Sequence, residues 1–107
     1  MKYKIRINPV AIADLHEIKA YIAEDNPEAA KKIGTAIYSK IEKLADFPEM
    51  GVSLGAKINI KTDYRFLVCG AYLIFYKIEG ESILVYRILN GRRDYLSILF
   101  SDELSKD

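Results

Sequence analysis

Polar and apolar positions alternate from the start of the chain. Tyr3, Ile5 and Ile7 are interleaved with Lys2, Lys4 and Arg6, the period-two pattern of a strand with one buried and one solvated face. At Asn8-Pro9 the period changes. Asparagine is a good helix cap, and proline at the first helical position gives up an N–H that no helix bond would use. Beyond it Ala11, Leu15, Ile18 and Ile22 fall on one helical face, with Asp14, Glu17, Lys19 and Glu24 expected elsewhere, which predicts an amphipathic helix over Pro9 to Ala23. Asn26-Pro27 repeats the start signal. Ala30, Ile33, Ile37, Ile41 and Leu44 then form a second stripe, predicting a helix from Pro27 to Ala45 before Phe47-Pro48 ends it.

Two one-faced helices joined by a tight break form a hairpin that must cover a sheet. The rest of the chain supplies that sheet. From Pro48 to Asp63 periodicity fails, and Gly51, Ser53, Gly55, Asn59 and Thr62 read as a loop with an irregular extended segment. Tyr64 to Cys69, Ala71 to Ile78 and Ser82 to Leu89 are β-branched and aromatic runs separated by turn signals at Gly70 and Glu79-Gly80, which predicts an antiparallel meander. Arg92 to Phe100 reads as either a short helix or an extended edge, and 101–107 as a polar end. The pattern as a whole is α+β, in the order β-α-α-β-β-β, with an antiparallel sheet, a helical hairpin on one face and a short C-terminal segment.

With 107 residues the chain is long enough for one hydrophobic core, so 1–107 is read as a single domain. Sixteen basic against fifteen acidic side chains exclude a strongly charged nucleic-acid binder on composition alone. The distribution says more. Residues 51–100 carry seven basic and four acidic groups, and 101–107 carry one and three. Cys69 is the sole cysteine, which leaves no disulfide framework and no cysteine zinc site, and a reducing cytoplasm fits best. No run approaches the roughly 18 apolar residues of a membrane span, and Met1 to Asn8 lacks the apolar core of a signal peptide. No membrane association is expected.

Most classes of site chemistry fail for want of residues. His16 is the sole histidine, on the first helix between Asp14 and Glu17, so neither a metal cluster nor a serine or cysteine nucleophile with a histidine base can be assembled. The glycines stand singly, so there is no phosphate-binding loop, and no cofactor is expected. What remains is a set of arginines. Arg65 is expected to share a sheet face with Leu67 and Cys69, and Arg87 with Val85 and Leu89; Arg92 and Arg93 follow the glycine break at Gly91. Long cations beside apolar neighbours suggest a groove for something anionic. The structural alternative pairs Arg65 with Asp63 or a helix acid, Arg87 with Asp94, and leaves Arg92 and Arg93 solvated beside Asp94. Tyr64, Tyr72, Tyr76, Tyr86 and Tyr95 are read mainly as sheet-face residues, with base stacking beside the arginines as the alternative.

The order of elements, together with Pro9-x-Ala11-x-x-Asp14-Leu15-x-Glu17-Ile18, Tyr21-Ile22-Ala23, Pro48-x-Met50-Gly51, Tyr64-Arg65 and Arg87-Ile88-Leu89-x-Gly91-Arg92-Arg93-Asp94-Tyr95, resembles the RelE/ParE superfamily of bacterial toxins over roughly residues 3 to 99. The resemblance implies the toxin of a type II toxin–antitoxin pair, a growth inhibitor associated with plasmid stabilisation and neutralised by a cognate antitoxin. Two activities occur in such proteins: ribosome-dependent cleavage of mRNA, and inhibition of DNA gyrase. For a nuclease, the resemblance puts Arg65 and Arg93 at the scissile phosphate, with Lys57 and Lys61 as basic loop residues and Tyr95 as the nearest proton carrier. The nucleases' own tyrosine or histidine falls at about Leu99, which transfers no proton, and Asn90 stands where ParE-like members often carry histidine. The gyrase reading is therefore favoured, with Arg87, Arg92 and the rest of the arginine segment 87–93, together with Tyr95, as a binding surface for gyrase or the antitoxin. A third reading is an inactive antitoxin-binding module.

Overall fold

The computed structural model describes residues 2–101, so most of the predicted polar end lies outside the described residues. The chain runs β1 (Lys4–Ile7), α1 (Pro9–Ala23), α2 (Pro27–Lys43), β2 (Val52–Ser53), α3 (Leu54–Ile58), β3 (Arg65–Cys69), β4 (Tyr72–Glu79), β5 (Ser82–Asn90) and α4 (Tyr95–Leu99). Both asparagine caps form: Asn8 Oδ1 accepts from the Val10 N–H at 2.9 Å, and Asn26 Oδ1 from the Ala29 N–H at 3.1 Å. A cap of this kind is worth about 1 kcal/mol to its helix. Helix α1 has its predicted bounds, while α2 closes at Lys43, short of the predicted Ala45.

The five strands form one sheet in the order β1-β5-β4-β3-β2. Strands β3, β4 and β5 are the expected antiparallel meander, joined by two-residue turns in which Gly70 (φ +59°) and Gly80 (φ +61°) hold the first central position. Positive φ there is what glycine supplies without steric cost. The sheet is not antiparallel throughout. Strand β1 pairs in parallel with β5, from Lys4 opposite Ser82 to Ile7 opposite Val85. The helical hairpin returns the chain to its starting end, and an odd number of meander strands leaves β5 running the same way as β1. The segment expected to be a loop carries β2 and α3, whose lengths of 2 and 5 residues are too short to show a period.

Alternation along the strands builds two apolar layers. On one face Ala11 and Leu15 of α1 and Ile37 and Ile41 of α2 close over Leu67, Ile74, Ile83 and Val85. The other face is also covered. Leu54 of α3 and Leu96 and Leu99 of α4 pack there against Tyr64, Phe66, Phe75 and Leu89. The C-terminal segment is thus a helix, laid back across the sheet.

One irregularity interrupts the alternation. Phe75 stands opposite Arg87 and Tyr76 opposite Val85, so Tyr86 is the extra residue of a β-bulge. The bulge reverses the facing of everything beyond it. Val85 and Ile88 both belong to the layer under the hairpin, and Leu89 belongs to the opposite layer. Strict period two, which put Val85, Arg87 and Leu89 on one face, fails for this reason.

Tyr76 anchors the turn after α2. Its buried hydroxyl donates to the Pro48 carbonyl at 2.8 Å and accepts from the Gly51 N–H at 3.0 Å. Gly51 has no room for a side chain: a Cβ would lie 2.6 Å from that hydroxyl and 2.7 Å from the Phe66 carbonyl oxygen. Tyr76→Phe strips both hydrogen bonds and leaves a buried N–H unpaired, so it should lower the free energy of unfolding by about 1–3 kcal/mol in urea titrations, with the midpoint moving and the slope unchanged.

Candidate functional site

The arginines singled out by sequence occupy two ends of the sheet. Arg65 pairs with Tyr76, itself opposite Val85, whereas Asn90 pairs with Tyr72, itself opposite Cys69. Arg65 and the arginines beyond Asn90 are therefore separated by roughly 15 Å along the strands, at about 3.3 Å per residue.

At the Asn90 end, Arg87 meets Asp14 of α1. Nε lies 2.7 Å from Oδ2 and Nη2 2.8 Å from Oδ1, a two-pronged pair, and Oδ2 also accepts from the Ile88 N–H at 3.0 Å. The expected partner of Arg87 was Asp94. That residue instead caps α4, accepting from the Ser97 N–H at 3.4 Å and from the Ser97 hydroxyl at 2.7 Å. Asp14 is within reach because β1 ends opposite Val85, which leaves the edge of β5 beside Ile88 open to α1. Asp14 also corrects the sequence reading, which set it off the apolar face: it is 7% exposed, packed beside Ala11 and Leu15. Its hydrogen bond holds the Arg87 guanidinium above its ordinary pKa, against the opposing cost of burial.

Arg93 opens onto a groove of about 300 Å³ next to this pair, lined also by Glu17, Tyr21, Tyr72 and Asn90. Tyr21 is 75% exposed there. Arg92 is exposed, and its N–H donates to Asn90 Oδ1 at 2.8 Å, so Asn90 shapes the turn that presents both arginines. Tyr95 does not join them. Its ring lies 5.3 Å from that of Phe75 at an interplanar angle of 32°, half-buried in the second layer.

At the other end, Arg65 has the predicted face but not the predicted partners. Its Nη2 donates to the Gly51 carbonyl at 2.7 Å and the Glu49 carbonyl at 3.1 Å, so neither Asp63 nor a helix acid is needed to hold it. Its Nε is buried and has no hydrogen-bond partner among the described residues. Lys57 on α3 and Lys61 after it are exposed on the segment leading into β3. Nearby, the Lys77 ammonium sits 4.5 Å from the Tyr64 ring centre and 5.2 Å from that of Tyr86. The Tyr86 hydroxyl donates to Glu79 Oε2 at 2.9 Å. Burial first, and then this bond to an anion, push the Tyr86 phenol up to about 12.

Sequence reasoning missed Asp14, Tyr76 and the Lys77–tyrosine stack. For Asp14 a signal existed: an acid three residues after Ala11 and four before Ile18 lies within the apolar stripe. His16 is exposed on α1, as read. Among the described residues no cluster of three or more histidine, cysteine or acidic side chains is placed to hold a metal ion, and no helix is long and apolar enough to cross a membrane.

Residues 5–95 match the model of the family described as the ParE toxin of the type II toxin–antitoxin system parDE. Toxin RelE1 of Caulobacter vibrioides is 27% identical over 94 residues, which cover 85% of this chain and 96% of that protein. Toxin RelE2 of the same organism is 28% identical over 83 residues, covering 78% and 89%. Among solved structures, a chain of the chromosomal ParDE system from P. aeruginosa superposes with a TM-score of 0.68 at 21% identity, covering 83% of this chain and 96% of that one. A chain of the toxin–antitoxin complex RelBE2 from Mycobacterium tuberculosis gives 0.56 at 17%, covering 84% and 99%. At these identities the structural likeness concerns the fold.

Two outcomes follow from the geometry. Asp14→Ala leaves Arg87 and the Ile88 N–H without their acceptor and should cost about 2–4 kcal/mol of stability by chemical denaturation, while Arg93→Ala should cost less than about 0.5. Tyr86 should be a late-titrating tyrosine. Because its folded pKa is raised from 10.0 to about 12, the stability it contributes is complete below pH 10 and is lost as the pH climbs through that window. Absorbance at 295 nm during alkaline titration checks this, and Glu79→Gln should bring the late step to lower pH.

Proposed function

This chain belongs to the ParE toxin family of type II toxin–antitoxin systems, and from that membership we propose that it is a growth inhibitor of DNA gyrase, kept inactive by a cognate antitoxin. The observation that carries the choice of target is that the side chains a nuclease needs do not converge. Arg65 spends its guanidinium on the Glu49 and Gly51 carbonyls, Arg93 stands at the far end of the sheet, and Tyr95 is stacked on Phe75. Leu99, at the position of the nucleases' proton carrier, packs in the second apolar layer. In-line attack by a ribose 2′-OH requires proton transfer as well as charge stabilisation, and arginines held apart supply neither together.

Under this reading the exposed Arg92 and Arg93, with Tyr21 and Tyr72 beside the Arg93 groove, form the surface that engages the target. Arg87 supports it from below through Asp14. An aromatic pair beside free guanidinium groups is the composition that dominates binding energy at protein interfaces. The nuclease alternative draws support from the curated relatives named Toxin RelE1 and RelE2 and from Lys57, Lys61 and Arg65 lying at one end of the sheet.

Induced expression without antitoxin separates the readings. DNA synthesis, followed by labelled thymidine within minutes, should stop before labelled amino acid incorporation does, and purified protein should block gyrase supercoiling. Arg92→Ala with Arg93→Ala should weaken that block by about tenfold or more, about 1.4 kcal/mol. Translation stopping first, with ribosome-bound mRNA cut, would establish the nuclease reading. Cells growing unaffected, with gyrase untouched, would leave an antitoxin-binding module.

A further inference from the structure

Part of the sheet belongs to neither apolar layer. The hairpin covers one face, and on the other α3 and α4 pack against Tyr64, Phe66, Phe75 and Leu89. Strand β1 turns Ile5 and Ile7 to the hairpin, so Lys4 and Arg6 point to the opposite side, where both are exposed. Arg6 stands opposite Leu84, and Leu84 opposite Lys77 of β4; in the next row Lys4 stands opposite Ser82, and Ser82 opposite Glu79. Leu84 is in neither layer. Strands β1, β5 and β4 thus leave a stretch of sheet face open at the Ser82 end of β5.

Its charge is one-sided. Lys4 and Arg6 are about 7 Å apart along β1, and Arg6 and Lys77 lie two strand spacings apart, about 10 Å. Among the described residues neither Lys4 nor Arg6 has an ion-pair partner. The acid of these rows, Glu79, already accepts from the Tyr86 hydroxyl at 2.9 Å. Cations on an edge strand such as β1 guard against pairing with other chains, but Lys77 is on β4, inside the sheet, where no edge needs guarding. The rings beside it decide which anion fits. The Lys77 ammonium caps both Tyr64 and Tyr86, and Tyr64 is buried with Tyr86 and Phe100 edge-on to it. Single-stranded nucleic acid draws much of its affinity from bases stacking on open rings, and these rings are taken. A duplex keeps its bases inside and presents one charge per about 1.7 Å of axis, which asks for cations alone.

From this juxtaposition we propose that the open face of β1, β5 and β4 binds the phosphate backbone of duplex DNA through Lys4, Arg6 and Lys77. The contacts are to phosphates, so binding is independent of base sequence and falls with salt. The turn that displays Arg92 and Arg93 lies beyond Asn90, six residues along β5 from Leu84 and about 20 Å away. One molecule can therefore hold a protein target at one end of β5 and a duplex at the other. The inference rests on the gyrase reading only for the source of the DNA, the duplex on which gyrase works. The face itself is tested without gyrase.

The probe is a fluorescein-labelled DNA duplex of about 20 base pairs, titrated with the whole protein by fluorescence anisotropy from about 50 to about 200 mM salt. The slope of log affinity against log salt should be about −2.7, three phosphates at about −0.9 each. Lys4→Glu with Arg6→Glu, at exposed positions, should weaken binding at least about tenfold at the lower salt with the fold unchanged by circular dichroism. The milder Lys4→Gln with Arg6→Gln should bring the slope to about −0.9. Arg92→Ala with Arg93→Ala should leave duplex binding as it was. No binding at the lower salt, or binding indifferent to Lys4 and Arg6, would overturn the proposal. So would tighter binding of single-stranded RNA through the same residues, which would make RNA the ligand. A block of gyrase supercoiling without duplex binding sinks this inference and leaves the gyrase reading standing. Duplex binding that depends on Lys4 and Arg6, in a protein that does not inhibit gyrase, upholds the site and removes the gyrase reading.

Discussion

A carboxylate placed on the apolar side of a helix needs a fixed cation, and much of this fold follows from meeting that need. Asp14 is almost fully buried on the sheet side of α1, where the Arg87 guanidinium and the Ile88 N–H of β5 satisfy it. Arg87 can reach it because β1 ends opposite Val85 and leaves the next residues of β5 open to α1. The bulge in β5 changes which side chains face each way, sending Leu89 to the layer under α4. Replacing such a pair with apolar residues often leaves stability unchanged, but removing one partner is costly. Its contribution is therefore positional: it ties α1 to β5 at Arg87 and Ile88.

The three arginine positions show one residue type used in three ways. Arg87 is a tie between layers, Arg65 a clamp on backbone carbonyls, and Arg92 with Arg93 a displayed charge. Their difference lies in the partners within reach and owes nothing to the side chain itself. A planar guanidinium serves each role because its several donors point in fixed directions.

How legible this was in the sequence varies by element. Helix α1, the two asparagine caps and the meander with its glycine turns were readable, because periodicity and capping are local and these segments are long enough to show them. The direction of β1, the short pieces β2 and α3, and the covering of the second face were not, since each depends on contacts between distant parts of the chain. The same division holds for the site. The arginines themselves stood out, whereas their partners did not: Asp14 lies seventy-three residues from Arg87, and the Glu49 and Gly51 carbonyls that hold Arg65 have no side-chain signature at all. The bulge was illegible for a further reason, as the residues around it keep strand composition while the pairing slips by one.

The parallel pairing of β1 with β5 has a consequence for how the protein comes into being at the ribosome. Among the described residues the first strand pairs with the last strand alone, and the first helix holds an acid whose cation is also on that last strand. A nascent chain that stops short of β5 has an uncovered hairpin, an orphaned carboxylate and no sheet to seat its first strand. The sheet closes only once β5 is made, so a chain terminated before it is expected to lack the assembled surface and to stay open to proteolysis.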